Sequence, residues 1–92
     1  MSTETHKHHQ EAALAHVKTL REQLAALQAA EPAELAAHLE RAIQSFHLEA
    51  IRFRMFSLDR ALKSGGLPEP LTTTFEQVRS ELEAAGFSTR SH

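Results

Sequence analysis

Seven histidines are the side chains in this 92-residue sequence with the clearest capacity for chemistry, and their number exceeds ordinary usage. Neutral imidazole is a common ligand of zinc, nickel and copper, and two histidines three or four residues apart on a helix can bind one ion. His6 and His9 have this spacing, and an antiparallel helical hairpin would bring His16 close to His47. These four histidines are therefore the candidate ligands of a zinc or nickel site.

The histidine spacing lacks the specificity of an established metal motif. The sequence has no His-Glu-x-x-His segment and no cysteine, so neither a hydrolytic zinc site nor a cysteine-based one is indicated. In the simpler interpretation, the segment from His6 to His9 is a solvated N-terminal stretch that binds metal ions nonspecifically, or a remnant of cloning. We therefore expect no cofactor and keep transition-metal binding or sensing as the alternative function.

Groups suited to catalysis are poorly represented. Tyr, Trp and Cys are missing, and no glycine-rich phosphate-binding loop follows a strand. The serines of the predicted helices and turns have no base placed beside them by any motif. The sequence therefore predicts that the protein is not an enzyme and has no catalytic residues.

The charge balance gives no general attraction for polyanions. The formal net charge is −2, and Glu49 and Asp59 interrupt the basic residues along one predicted helix face, so we expect no nucleic-acid partner. A membrane span needs about 18 uncharged apolar residues in a row, and the sequence has no such run. With no apolar leader at the N-terminus, the expected location is the cytoplasm.

Helix-forming segments separated by clear breaks predict a single all-α domain over residues 1–92. Pro32 and the pair Gly65-Gly66 mark the two turns. We expect helices at about 6–30, 33–64 and 70–85, with flexible tails at 1–5 and 87–92. The segment 33–64 contains no glycine and only charged, polar or apolar helix formers, which favours one long central helix.

Two apolar stripes along the predicted central helix indicate two partner helices. One stripe is Leu35, Leu39, Ala42, Ile43, Phe46, Ala50 and Phe53, and the other is Leu48, Ile51, Met55, Leu58 and Leu62. The first helix carries a matching stripe at Ala13, Val17, Leu20, Leu24 and Leu27, and the last helix carries Leu71, Phe75, Val78, Leu82 and Ala85. The sequence therefore predicts a three-helix antiparallel bundle with the central helix between its two neighbours.

Phe56 lies on the arc of the central helix that neither neighbour should cover. Phe53 and Met55 extend this apolar patch, and Arg52 and Arg60 flank it. Apolar surface left over by the fold favours a second chain as its cover. These five residues are the candidate partner-binding site of an isologous homodimer or another protein partner. The predicted function is a small association module, acting as a homodimeric scaffold, regulatory subunit or adaptor.

His47 and Arg54 fall in the wedge between the two stripes and are candidate ligands of an anion or small molecule. The simpler expectation is that Arg54 pairs with Glu40 or Glu11 at the rim of the bundle. A ligand pocket is thus the last of the three functional hypotheses.

Overall fold

Four α-helices make up the part of the chain that the computed structural model describes, which is residues 3–87 with side chains from Lys7 onward. The helices are α1 (Thr3–Ala26), α2 (Ala30–Ser45), α3 (Leu48–Ser64) and α4 (Glu69–Ala84), and these residues form no strand. The all-α prediction is confirmed. The three-helix prediction is wrong, because the segment 33–64 forms two helices rather than one.

The break in the predicted central helix lies at Phe46 and His47. Phe46 takes a left-handed conformation, with φ 56° and ψ 39°. Its N–H donates to the Ile43 carbonyl at 3.0 Å, and the His47 N–H donates to the Ala42 carbonyl at 3.4 Å. This pair of bonds is the Schellman motif, which closes a helix by satisfying its last carbonyls. A helix can therefore end here without glycine or proline.

His47 begins the next helix immediately. Its backbone is extended, with φ −99° and ψ 108°, and its imidazole Nδ1 accepts a hydrogen bond from the Ala50 N–H at 3.3 Å. The first N–H groups of a helix have no partner within the helix, so an N-cap acceptor stabilises the start of α3. Two adjacent residues thus end α2 and begin α3.

The first turn lies at residues 27–29, before the predicted position, because α2 already begins at Ala30 and holds Pro32 in its first turn. α1 ends at Ala26, four residues before the predicted end, because Gln28 adopts a left-handed φ of 57°. α3 ends at Ser64 as predicted, and Gly66 follows with φ 58°. The predicted flexible tail at 1–5 is shorter than expected, because α1 already begins at Thr3. The rest of this tail, and the predicted tail at 87–92 apart from Phe87, lie outside the described residues.

One hydrophobic core is shared by all four helices. α1 packs against both α2 and α4, and α2 packs against α3, whereas α1 and α3 have no Cα atoms within 8 Å of each other among the described residues. The core contains Ala13, Val17, Leu20 and Leu24 of α1, and it takes equivalent stripes from the other helices. The predicted packing of the last helix on residues 48–62 needs correction, since α4 has α1 as its main neighbour and meets α3 much less.

Hydrogen bonds and ion pairs link neighbouring helices at the edges of the core. The Gln10 amide donates to the Ile43 carbonyl at 2.8 Å, and Arg21 forms an ion pair with Glu40, so α1 and α2 are antiparallel as predicted. The buried Arg79 of α4 lies with Nη2 4.0 Å from the Asp59 carboxylate of α3. None of the described helices is both long and apolar enough to cross a bilayer.

Candidate functional site

α3 divides its side chains between the core and the solvent. Ile51, Met55 and Leu58 repeat at steps of four and three and are completely buried, with Leu62 continuing this face. Residues on the opposite side of the helix are exposed, and they define the outer face of α3: Glu49, Arg52, Phe53, Phe56 and Arg60. The helix is amphipathic in its spacing, but two aromatic rings lie on its solvent side.

Phe53 and Phe56 are the aromatic part of this outer face. Phe53 is 58% exposed and Phe56 is 41% exposed. The Arg54 guanidinium carbon lies 5.1 Å from the centre of the Phe53 ring, and that of Arg60 lies 5.6 Å from the Phe56 ring. Such cation–π contacts contribute about 0.5–1 kcal/mol at exposed sites. The arginines orient the rings without burying them.

The structure corrects one member of the predicted partner surface. Phe53, Phe56, Arg52 and Arg60 are exposed on one helix face, but Met55 is completely buried in the core. Adjacent positions on a helix point about 100° apart, so the residue just before Phe56 need not share its face. Met55 instead continues the buried stripe of Ile51 and Leu58 and is unavailable to a partner.

Two further apolar side chains are exposed near the start of α3. Phe46 is 36% exposed and packs its ring edge-to-face on Phe87, with ring centres 4.7 Å apart, and Leu48 is 42% exposed. Sequence reasoning assigned both residues to buried stripes. Both side chains are exposed because the left-handed turn at Phe46 directs them away from the core. The sequence carries no glycine or proline that would indicate this turn.

His47 and Arg54, the candidate anion ligands, both have structural roles. His47 caps α3 through Nδ1, and Arg54 stacks on Phe53. The predicted pairing of Arg54 with Glu40 is not formed, because Glu40 pairs with Arg21 of α1. The two residues therefore act in local structure, one at a helix start and the other on an exposed ring.

The predicted metal site is not assembled by the residues that the structure describes. His9 Nδ1 lies 2.7 Å from a Glu81 carboxylate oxygen, linking α1 to α4. His16 lines a groove with Thr73, Gln77 and other α4 residues instead of facing His47, and the side chain of the fourth candidate, His6, lies outside the described residues. Across the described side chains, no three histidine, aspartate or glutamate groups converge on a point where a metal ion could bind.

Comparisons with known proteins complete the description of the site. No family model matches the chain, and no significant match was found among curated proteins or among solved structures.

Proposed function

We propose that this protein is a non-catalytic association module that forms a homodimer through the outer face of α3. In this role it acts as a scaffold, regulatory subunit or adaptor. The observation that carries the proposal is the exposure of Phe53 and Phe56 together on one face of one helix. Aromatic residues are enriched in the buried centre of protein interfaces, where they supply a large apolar area.

The composition of the outer face fits an interface better than it fits a solvated helix. Single exposed apolar residues are ordinary, but Phe53 and Phe56 lie one helical turn apart, and Phe46 and Leu48 are also exposed near the start of α3. Arg52 and Arg60 beside the rings match the preference of interfaces for arginine. A core of rings with a charged rim is the usual anatomy of a protein–protein contact.

The size of the aromatic contribution sets the expected strength of the dimer. The exposed fractions of Phe53 and Phe56 together amount to about one whole phenylalanine side chain per chain. Burying these fractions in both copies contributes about 3–6 kcal/mol. Association costs about 4–15 kcal/mol in lost translational and rotational freedom. The rings alone therefore give a weak dimer, which also needs neighbouring contacts and forms at high concentration.

Substitution of Phe56 by aspartate tests the proposal. At a concentration where the wild-type chain is dimeric by sedimentation velocity, we expect Phe56→Asp to sediment as one chain. Leu27→Asp is the matched control, because Leu27 is 47% exposed and lies in the turn after α1, outside the outer face of α3. An unchanged dimer for Phe56→Asp, or equal loss in both variants with native helical circular dichroism, would remove the outer face from the proposal.

A further inference from the structure

The outer face of α3 carries opposite charges at equal distances from its two rings. Glu49 precedes Phe53 by four residues, and Arg60 follows Phe56 by four residues. Steps of four, three and four keep the four side chains on one side of a helix. All four are exposed. From its N-terminal to its C-terminal end, the face therefore carries an acidic residue, two aromatic rings and a basic residue.

Glu49 and Arg60 are the charged side chains at the two ends of the outer face of α3. Among the side chains of residues 7–87, no ion pair involves either of them. The neighbouring Asp59 differs, since Lys63 lies 3.2 Å from its carboxylate and Arg79 lies 4.0 Å from it. Arg60 stacks on Phe56, which holds its guanidinium at one end of the aromatic pair. Glu49 is thus the acidic group of this face left for an outside partner.

We propose that the dimer pairs α3 with α3 of a second copy in antiparallel orientation, a step that rests on the proposed function above. The two-fold axis passes midway between Phe53 and Phe56. Phe53 of each chain then packs beside Phe56 of the other, and Glu49 of each chain faces Arg60 of the other. One contact pattern is used twice, as an isologous interface requires.

The charge pattern favours the antiparallel arrangement of the two α3 helices over the parallel one. In a parallel pair about a two-fold axis, each residue faces its own copy, so Glu49 faces Glu49 and Arg60 faces Arg60. Like charges directly opposite each other destabilise a helix pair. The antiparallel register instead forms two attractive pairs, one at each end of the aromatic centre. Electrostatics thereby select the orientation that the rings alone leave undetermined.

Charge reversal at the two positions tests the register. Glu49→Arg and Arg60→Glu each convert two attractive pairs into two repulsive ones, so each should weaken the dimer by about 10- to 30-fold at low salt. The double variant restores opposite charges at both ends. Its dissociation constant, measured by sedimentation equilibrium, should return to within about threefold of the wild-type value. Circular dichroism of each variant checks that α3 is intact.

The outcomes distinguish the register from the proposed function itself. The antiparallel register would be wrong if the wild type is dimeric and the single variants have the same dissociation constant, or if the double variant dimerises no more tightly than the single variants. Neither result would contradict the dimer itself. A wild type that stays a single chain at millimolar concentration would remove both.

Cross-linking provides a second test, because the chain has no cysteine of its own. We expect a short bifunctional thiol reagent to join Glu49→Cys to Arg60→Cys when the two variants are mixed. Glu49→Cys alone should remain uncross-linked. Efficient cross-linking of Glu49→Cys to itself would contradict the antiparallel register.

Discussion

The break between α2 and α3 can be tested by replacing Phe46 with glycine and, separately, with alanine. The test is which of the two variants has the larger free energy of unfolding. Phe46 has φ 56°, a region that costs an ordinary residue about 1–2 kcal/mol and that glycine enters freely. Both substitutions remove the edge-to-face contact with Phe87, so that loss cancels when the two variants are compared. The glycine variant should then be more stable than the alanine variant by about 1 kcal/mol.

A continuous helix through residue 46 gives the opposite sign. In a helix interior glycine is less favourable than alanine by about 0.8–1.0 kcal/mol. The stability difference between the glycine and alanine variants is therefore about 2 kcal/mol more favourable to glycine if the helix breaks at Phe46 than if it is continuous. The free energies of unfolding come from urea titrations followed by circular dichroism. A glycine variant less stable than the alanine variant would refute the break at Phe46.

Ser57 provides the matched control for this comparison. It lies in the middle of α3, where the backbone is helical. Ser57→Gly should be less stable than Ser57→Ala by about 1 kcal/mol. Opposite signs at positions 46 and 57 in the same chain would exclude a general effect of glycine on the unfolded state.

Three further predictions separate the core, the caps and the outer face. Met55→Ala should lower the free energy of unfolding by about 2–5 kcal/mol in urea titrations, whereas Phe53→Ala should change it by less than about 1 kcal/mol, because only Met55 is buried; equal losses would contradict the division of α3 into two faces. His47→Ala should cost about 0.5–2 kcal/mol and His47→Ser should recover most of that loss, since a hydroxyl can replace the imidazole as N-cap acceptor; a serine variant as unstable as the alanine variant would argue against the cap. Arg79→Ala should cost about 1–3 kcal/mol by the same assay, because it removes a buried side chain that stacks on Phe75 at 5.2 Å, hydrogen-bonds Glu76 and lies 4.0 Å from Asp59 of α3; a neutral result would mean that these contacts are not stabilising.

The helical content of the chain could be predicted from its sequence because apolar periodicity directly reflects burial. The stripe of Val17, Leu20 and Leu24 is buried as its spacing indicates, and Gly66 lies in the turn before α4, whereas Pro32 lies in the first turn of α2. These features are local, and each depends only on residues within one helix or one turn. Predictions of this kind need no knowledge of how the helices pack.

The break at residues 46 and 47 could not be predicted from the usual signals. Neither Phe46 nor His47 is a common helix terminator, and histidine is not among the preferred N-caps. One signal was present in the two apolar stripes. Most of the first stripe, from Leu35 to Phe46, precedes the second stripe, which begins at Leu48. Only Ala50 and Phe53 continue the first stripe beyond that point, so the pattern also fits one face on each of two helices. On a single helix the same residues were interpreted as two faces.

The sequence of α4 does not determine which helix it packs against. The stripe of Leu71, Phe75, Val78 and Leu82 requires an apolar partner, but every helix of this chain offers one. The break at Phe46 separates α3 from α2, so α4 is free to pack mainly on α1. The candidate site was predicted in part, since Phe56 lies outside both apolar stripes and is also exposed in the four-helix fold.

Association through the outer face of α3 is tested most directly by the mass of the wild-type chain as a function of concentration. Sedimentation equilibrium from about 5 µM to about 1 mM covers the range expected for a weak interface of this size. The exposed rings of Phe53 and Phe56 predict a reversible rise from one chain to two across that range. A mass of one chain at every concentration would contradict the homodimer.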